Sequence, residues 1–247
     1  MTSPMLGHVP ILPPRQGAAP YRASQELLAH FRACSACDVT DAVGRLYSMD
    51  AGIRPLYTPM KRAVGIALTA KAVPGDNLAI HTALGLAQED DFLVVDWRGN
   101  TESCGSGVLS LIDPMRRGLR GVVVDGSWRD VDDIQALGFP VFGRGIAPFS
   151  PLKEDLGEVN VPVACGGVVV EPGDIIVADE GGVAVVPLRH AEQVAAAVEK
   201  FVVRTSYEQY PLEELRQGAD ARREDLRKLF EQQGGLIVGE QTKGTGE

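Results

Sequence analysis

The chain lacks long hydrophobic runs. No apolar stretch in its 247 residues approaches the roughly 18 needed to cross a bilayer, and the N-terminus lacks the charged and apolar regions of a secretory signal. The expectation is therefore a cytoplasmic protein. Positive charge is also scarce, with 24 Lys and Arg against 33 Asp and Glu, a net charge of −9. That balance disfavours a nucleic-acid backbone or an anionic membrane as the main partner. It also requires any small anionic substrate to meet a local cation or a metal, because the overall field repels it. Four cysteines, Cys34, Cys37, Cys104 and Cys165, are too few for a disulfide framework. Cys34-Ser-Ala-Cys37 has no second C-x-x-C or histidine pair to complete a zinc set, so the thiols are read as small buried side chains. Low complexity is absent too: 28 glycines and 16 prolines are scattered, marking many tight turns.

What is present is enough apolar sequence, 45%, for one large core. Residues 1–20 have no period and read as an extended arm. Leu27, Leu28 and Phe31 define a helix face after Ser24, and a second helix starts near Cys37, with Asp38 or Thr40 as its N-cap. Residues 63–73 read as a strand, Pro74 to Asn77 as a turn, and 78–87 as a helix carrying His81, a lone histidine read as structural. Phe92 to Asp96 is a fully apolar strand ending in a polar turn at Trp97 to Asn100. A helix is expected from about Gly107 to Arg117, with free N–H groups at its start. Farther on, residues 159–186 form a run of short strands on Pro-Gly-Asp and Glu-Gly-Gly hinges. A helix at 190–200 buries Val194, Ala197, Val198 and Phe201. A charged helical stretch spans 208–230, and the tail from Gln241 reads as disordered.

Val122-Val-Val-Asp-Gly-Ser-Trp-Arg-Asp130 is the stretch with chemical content. Three valines read as a buried strand ending in a turn at Asp125-Gly126, and a short helix follows through Val131, Ile134 and Leu137. A cation and a carboxylate side by side at a strand-to-helix junction suit a small anion and a metal. The same residues equally allow Asp130 to cap the helix with Asp133 and Arg129 to be a surface ion-pair partner. Gly105-x-Gly107 resembles part of a dinucleotide loop, but Ser110 stands where the third glycine belongs.

The order of motifs is more specific than any one of them. Asp38-Val-Thr-Asp-Ala-Val-Gly44, Pro74-Gly-Asp-Asn77, Val94-Val-Asp96, Gly121-Val-Val-Val-Asp-Gly-x-x-Arg-Asp130, Leu137-Gly-Phe-Pro-Val-Phe142, Val159-Asn-Val-Pro-Val163, Pro172-Gly-Asp174 and Ala178-Asp-x-x-Gly-Val183 occur together. This series, over roughly Ser24 to Lys200, resembles the RraA-like family, which contains the class II 4-hydroxy-4-methyl-2-oxoglutarate / 4-carboxy-4-hydroxy-2-oxoadipate aldolases. The resemblance implies an α/β sandwich of the swivelling β/β/α type, a catalytic domain over 21–200 and a C-terminal helical extension over 201–247. It implies homotrimers or homohexamers with sites between subunits. It also implies a divalent metal, Mg²⁺ or Mn²⁺, and release of pyruvate from a 4-hydroxy-2-oxo acid, with oxaloacetate decarboxylation as a side activity.

Carried over by position, Asp130 holds the metal and Arg129 contacts the pyruvyl oxygens. The loop Gly107, Val108, Leu109 and Ser110 offers N–H groups to the substrate carboxylate. A single carboxylate suits Mg²⁺, which keeps most of its waters, and arginine suits a planar enolate. One position departs from the pattern. The aldolases carry an acid where this chain has Val108, and the nearest carboxylates, Glu102 and Asp113, are off the motif. Glu208 is a weak candidate for a second acid from a neighbouring subunit. Arg98, Arg144 and His81 are further candidates for the site, with Arg144 reading equally as an ion-pair partner. Two alternatives follow: altered oxo- or hydroxy-acid chemistry, or regulation of a ribonuclease by protein contact, as in the family's namesake.

Overall fold

The computed structural model describes residues 22–205 and 223–234. The chain divides into two units, Met1–Val202 and Val203–Glu247. The expected arm at 1–20, Glu208 and the tail from Gln241 lie outside the described residues. In the second unit, residues 223–232 form a helix with i,i+4 pairs Arg227–Glu231 and Lys228–Glu224, the pattern of a solvated helix.

The first unit opens with α1 (Gln25–Arg32), capped by the Ser24 hydroxyl, which accepts from the Leu27 N–H, and burying Leu28 and Phe31. The next helix, α2 (Ala36–Val43), starts earlier than the sequence pattern indicates. Its N-cap is Ser35, paired with Asp38 in a reciprocal capping box, so Asp38 occupies the third position of the helix and Thr40 lies inside it. Cys34 is buried but Cys37 is exposed, so the reading of all four thiols as buried fails for Cys37. Its position in α2 faces outward.

The framework is a mixed sheet built from β1 (Arg54–Pro55), β2 (Ala63–Lys71), β3 (Asp91–Cys104), β4 (Gly121–Trp128), β5 (Val141–Ile146), β9 (Ile175–Asp179) and β10 (Gly182–Val186). Their order is β1-β5-β4-β3-β2-β9-β10, with β6 (Glu158–Val159) also paired to β2. The four middle strands β5, β4, β3 and β2 are parallel. They are linked by helices: α3 (Leu78–Leu86) follows β2, α4 (Ile112–Arg116) follows β3, and α5 (Val131–Leu137) follows β4.

Alternation along β2 shows the layering. Leu68 and Ala70 face a core shared with Ile80, Leu84 and Ile134 of the helices, whereas Ala63 and Ala67 face the opposite side. That opposite side is covered by a two-stranded sheet of β7 (Val163–Cys165) and β8 (Val168–Val170), through Val163, Val168 and Val170. Val64 and Ile66 pack with Leu28, Phe31, Val39, Val194 and Val198, which brings in α1, α2 and α6 (Ala191–Thr205). Of the expected inner face of α6, Val194 and Val198 are buried, Ala197 is half-buried, and the side chain of Phe201 lies outside the description. The result is the expected β/β/α layering.

Three local expectations are corrected, the first two by long-range packing and the third by a proline. Trp97 to Asn100 is a bulged excursion within β3 rather than its end. Trp97 is wholly buried, and its indole N–H donates to the carbonyls of Val73 and Asp76 at 2.7 and 3.1 Å. Arg98 and Gly99, both at positive φ, absorb the extra length. Likewise β4 does not turn at Asp125-Gly126 but runs on to Trp128. Asp125 is buried, accepts from the Gly166 N–H at 3.1 Å and pairs with Arg144. A Cβ at Gly126 would press on the Asn100 carbonyl oxygen and the Trp97 ring, so close packing of strands explains this glycine. Finally, the helix expected over 107–117 is a 3₁₀ turn at Val108–Ser110 followed by α4. Pro114 has no N–H to continue a hydrogen-bond ladder back to Ser110, and the α-helix begins only two residues before it.

Candidate functional site

The connections leaving the carboxyl ends of all four parallel strands converge on one cavity of about 150 Å³. In open α/β sheets this edge is where ligands bind. Asn77 and His81 arrive after β2, Cys104 ends β3, and the Ser106-to-Ser110 turn follows it. Arg129 and Asp130 follow β4, and Ser150, Pro151 and Lys153 follow β5.

Arg129 and Asp130 are successive residues, which in extended chain point to opposite sides. Here Asp130 adopts the left-handed conformation, φ 57°, and both side chains line the cavity. Asp130 precedes α5, yet its side chain makes no capping hydrogen bond. Its Oδ2 accepts instead from the Val108 N–H at 3.2 Å, so the capping reading gives way to a carboxylate held across the cavity floor. The Arg129 guanidinium donates from Nη1 to Ser150 Oγ at 2.6 Å, and its Nε lies 3.7 Å from Asp130 Oδ2. That Nε–H is buried and has no hydrogen-bond partner among the described residues. An unpaired buried donor beside a carboxylate calls for a ligand oxygen.

The 106–110 turn is fixed from within. Ser110 Oγ donates to the Gly107 carbonyl at 2.7 Å and lies 2.6 Å from Ser106 Oγ. Gly107 sits so close to the pair that a Cβ there would collide with Asp130 Oδ2. Of the four loop residues picked from the sequence, Gly107, Leu109 and Ser110 line the cavity. Val108 reaches it only through its N–H, while its side chain packs against the helix-side core. Because Asp130 engages that N–H, Val108 is not a free donor for a ligand.

Residues that sequence reasoning missed, or weighed as structural, complete the wall. Asn77 Nδ2 donates to the Gly105 carbonyl at 2.8 Å, and this bond fixes the amide orientation. Asn77 Oδ1 is left buried without a partner among the described residues. His81 is half-buried in the first turn of α3; burial, and then the nearby Lys153 charge, push its imidazole below the ordinary histidine value. The Cys104 thiol is pushed up by burial, with Arg129 pulling the other way. Lys153 supplies a second cation. Arg144 does not reach the cavity; it pairs with Asp125 and, at 3.0 Å, with Asp50. Arg98 is likewise absent from the wall. Two cations and one carboxylate make the cavity locally positive in an acidic chain, as a small anionic ligand requires.

Among the described residues no group of three or more His, Cys, Asp or Glu side chains is arranged to hold a metal. The donor set fits no zinc-like site. It does fit a hard, hydrated divalent cation, which needs only one carboxylate. No helix of the described residues is long and apolar enough to cross a membrane.

Comparison with known proteins agrees with this architecture. The family described as RraA-like, Aldolase/RraA, matches residues 33–185. A protein of Halalkalibacterium halodurans, provisionally named 4-hydroxy-4-methyl-2-oxoglutarate aldolase, is 35% identical over 72% of this chain and 85% of its own. The crystal structure of Streptomyces coelicolor RraAS2, described as an unusual member of the RNase ES inhibitor RraA family, superposes with a TM-score of 0.68 at 27% identity. It covers 77% of this chain and 98% of that one. The RNA-processing inhibitor RraA of Thermus thermophilis gives 0.57 at 26% identity, over 62% of this chain and 93% of its own. By the extent of the family match and the shared β/β/α sheet, the chain belongs to the RraA-like family.

Proposed function

We propose that the protein is a divalent-metal-dependent carbon–carbon lyase that cleaves a 4-hydroxy-2-oxo acid to release pyruvate, with oxaloacetate decarboxylation as a second activity. The observation carrying this reading is the Arg129–Asp130 pair, one unpaired guanidinium N–H beside one carboxylate on a small cationic cavity. The aldolase name of the 35% identical relative supports it.

Breaking the bond between C3 and C4 leaves a pyruvate enolate, so the site must stabilise a negative oxygen set in place before the reaction. Arg129 meets the pyruvyl oxygens with its fork of donors, and Ser150 holds that fork in position. The N–H groups of Gly107 and Leu109 meet the substrate carboxylate. Asp130 would hold Mg²⁺ or Mn²⁺, largely through water, and such an ion would supply Lewis-acid polarisation of the 2-oxo group.

A homotrimer or homohexamer belongs to the same reading. Leu109, Ile146, Phe149 and Leu152, on the turns around the cavity, are all more than half exposed, which suits a rim covered by a second subunit. The likeness to RraA proteins described as inhibitors of RNase ES and of RNA processing favours a second reading, regulation of a ribonuclease by protein contact.

The test is a lactate-dehydrogenase-coupled assay of pyruvate release from 4-hydroxy-4-methyl-2-oxoglutarate and oxaloacetate. It is run with Mg²⁺ or Mn²⁺, with EDTA, and with Asp130→Ala. Release that needs metal and is lost in the variant supports the lyase. Folded, metal-loaded protein that releases nothing above background refutes it and turns attention to the second reading.

A further inference from the structure

The proposed cleavage moves a proton that Arg129 and Asp130 do not carry. As C3–C4 breaks, the C4 hydroxyl must lose its proton, and the enolate must then gain one at C3. Position 108 offers no help, because the Val108 side chain packs into the helix-side core. The titratable and charged groups facing the cavity are Arg129, Asp130, Cys104, Lys153 and His81. The Arg129 guanidinium offers donors and no acceptor, and Asp130 is engaged by the Val108 N–H. Cys104 holds its proton because burial raises its pKa. Lys153 is a cation on the exposed connection after β5.

His81 differs from all of these. It stands on α3, whose Ile80, Ala83 and Leu84 are locked into the core, so the imidazole is presented to the cavity from a rigid element. Burial and Lys153 both disfavour the imidazolium, and the positive end of the helix dipole acts in the same direction. The result is a neutral imidazole with an available lone pair near neutral pH. Beside it, Asn77 Oδ1 is a buried acceptor without a partner among the described residues, a second sign that a donor-bearing ligand belongs here.

We propose that His81 is the catalytic proton carrier, taking the proton of the substrate C4 hydroxyl and returning it to C3 of the enolate. The inference rests on the lyase reading above. In the first step the O–H bond breaks, its electron pair forms the new C4 carbonyl, and the C3–C4 pair passes into the enolate. Once the carbonyl fragment leaves, the imidazolium N–H delivers the proton to C3, giving pyruvate. No proton is gained or lost overall and no co-reactant is needed.

His81→Asn in the full-length, Mg²⁺-loaded protein separates this role from a structural one. Decarboxylation of oxaloacetate reaches the same enolate without removing a hydroxyl proton. The variant should therefore lose about 10²–10⁴-fold in aldol-cleavage kcat, the usual contribution of a general base, and far less in decarboxylation. In the wild type, aldol-cleavage kcat/KM should fall on the acid side as the imidazole gains a proton, and that limb should vanish in the variant. An acid limb shared equally by both reactions would overturn the assignment. An NMR titration gives a readout without turnover: the His81 midpoint should lie below the ordinary value of about 6.5 and rise in Lys153→Met.

Equal losses in both reactions, or no loss in cleavage, overturn the assignment, and so does a His81 midpoint above the ordinary value. Wild-type protein that releases no pyruvate from either substrate overturns the lyase reading, and this inference with it.

Discussion

Gly107→Ala is the substitution that most directly tests whether the Arg129–Asp130 pair is held where the cavity needs it. The Gly107 backbone is extended, φ −137°, so alanine incurs no conformational penalty there. The problem is space: the new Cβ would collide with Asp130 Oδ2 and lie 3.1 Å from both Asp130 Cγ and Arg129 Nε. Those atoms end flexible side chains that are 35% and 40% exposed, so they can swing outward. The fold should therefore lose little, about 1 kcal/mol, mostly the hydrogen bond between the Val108 N–H and Asp130. The site should lose much more. Asp130 must retreat by roughly 1 Å, a displacement that costs on the order of 10²-fold in a preorganised site. Coupled pyruvate release at saturating metal, with a thermal melt of the same preparation, measures both quantities. Full activity with an unchanged melt would falsify the claim that this carboxylate position matters. A collapse of the melt would show instead that Gly107 is a packing residue.

Two further outcomes are expected. Asp90 is buried and receives hydrogen bonds from Gln25, Arg32 and Arg120 at 2.7–2.8 Å. Burial raises its pKa, but the Gln25 and Arg120 hydrogen bonds and the two arginine charges outweigh it and leave the carboxyl below its usual range. Its stabilisation is thus complete above the unfolded value of about 3.9 and is lost as pH falls through the lower folded value. Asp90→Asn, which keeps the left-handed backbone at φ 65°, should cost about 1–3 kcal/mol at neutral pH. Denaturant melts should show the difference shrinking below about pH 4; a constant difference would argue against a charge effect. Val108→Asp places a carboxylate against the helix-side core, so a loss of about 1–3 kcal/mol is expected. It should bring no gain in aldol cleavage if His81 carries the proton, and a large gain would count against that scheme.

The elements with clean local signals were legible from the residues. The apolar strand of β2, the valine run of β4 and the start of α1 after Ser24 all lie where their residues place them. Two of the errors share one cause. Asp125-Gly126 and Trp97 to Asn100 carry turn chemistry, yet Arg144, Gly166 and the Val73 and Asp76 carbonyls come from elsewhere in the chain and keep both segments in the sheet. The site divides in the same way. Arg129, Asp130 and the 107–110 turn are marked by local motifs, but Asn77, His81 and Lys153 reach the same cavity from other strand ends. His81 looked structural because no ligand sits one helical turn away; its charged neighbour Lys153 is far along the chain. The available signal was positional, since Asn77, His81 and Lys153 each follow a parallel strand.

The left-handed backbone at residue 130 also narrows what evolution can place there. The turn that brings two consecutive side chains onto one cavity admits glycine, asparagine or aspartate at little strain. The proposed role of holding a hard cation would admit aspartate or glutamate. Only aspartate belongs to both sets, so geometry and chemistry select the same residue independently. Drift at this position has no conservative exit: asparagine keeps the turn and abandons the charge, and glutamate keeps the charge and strains the turn.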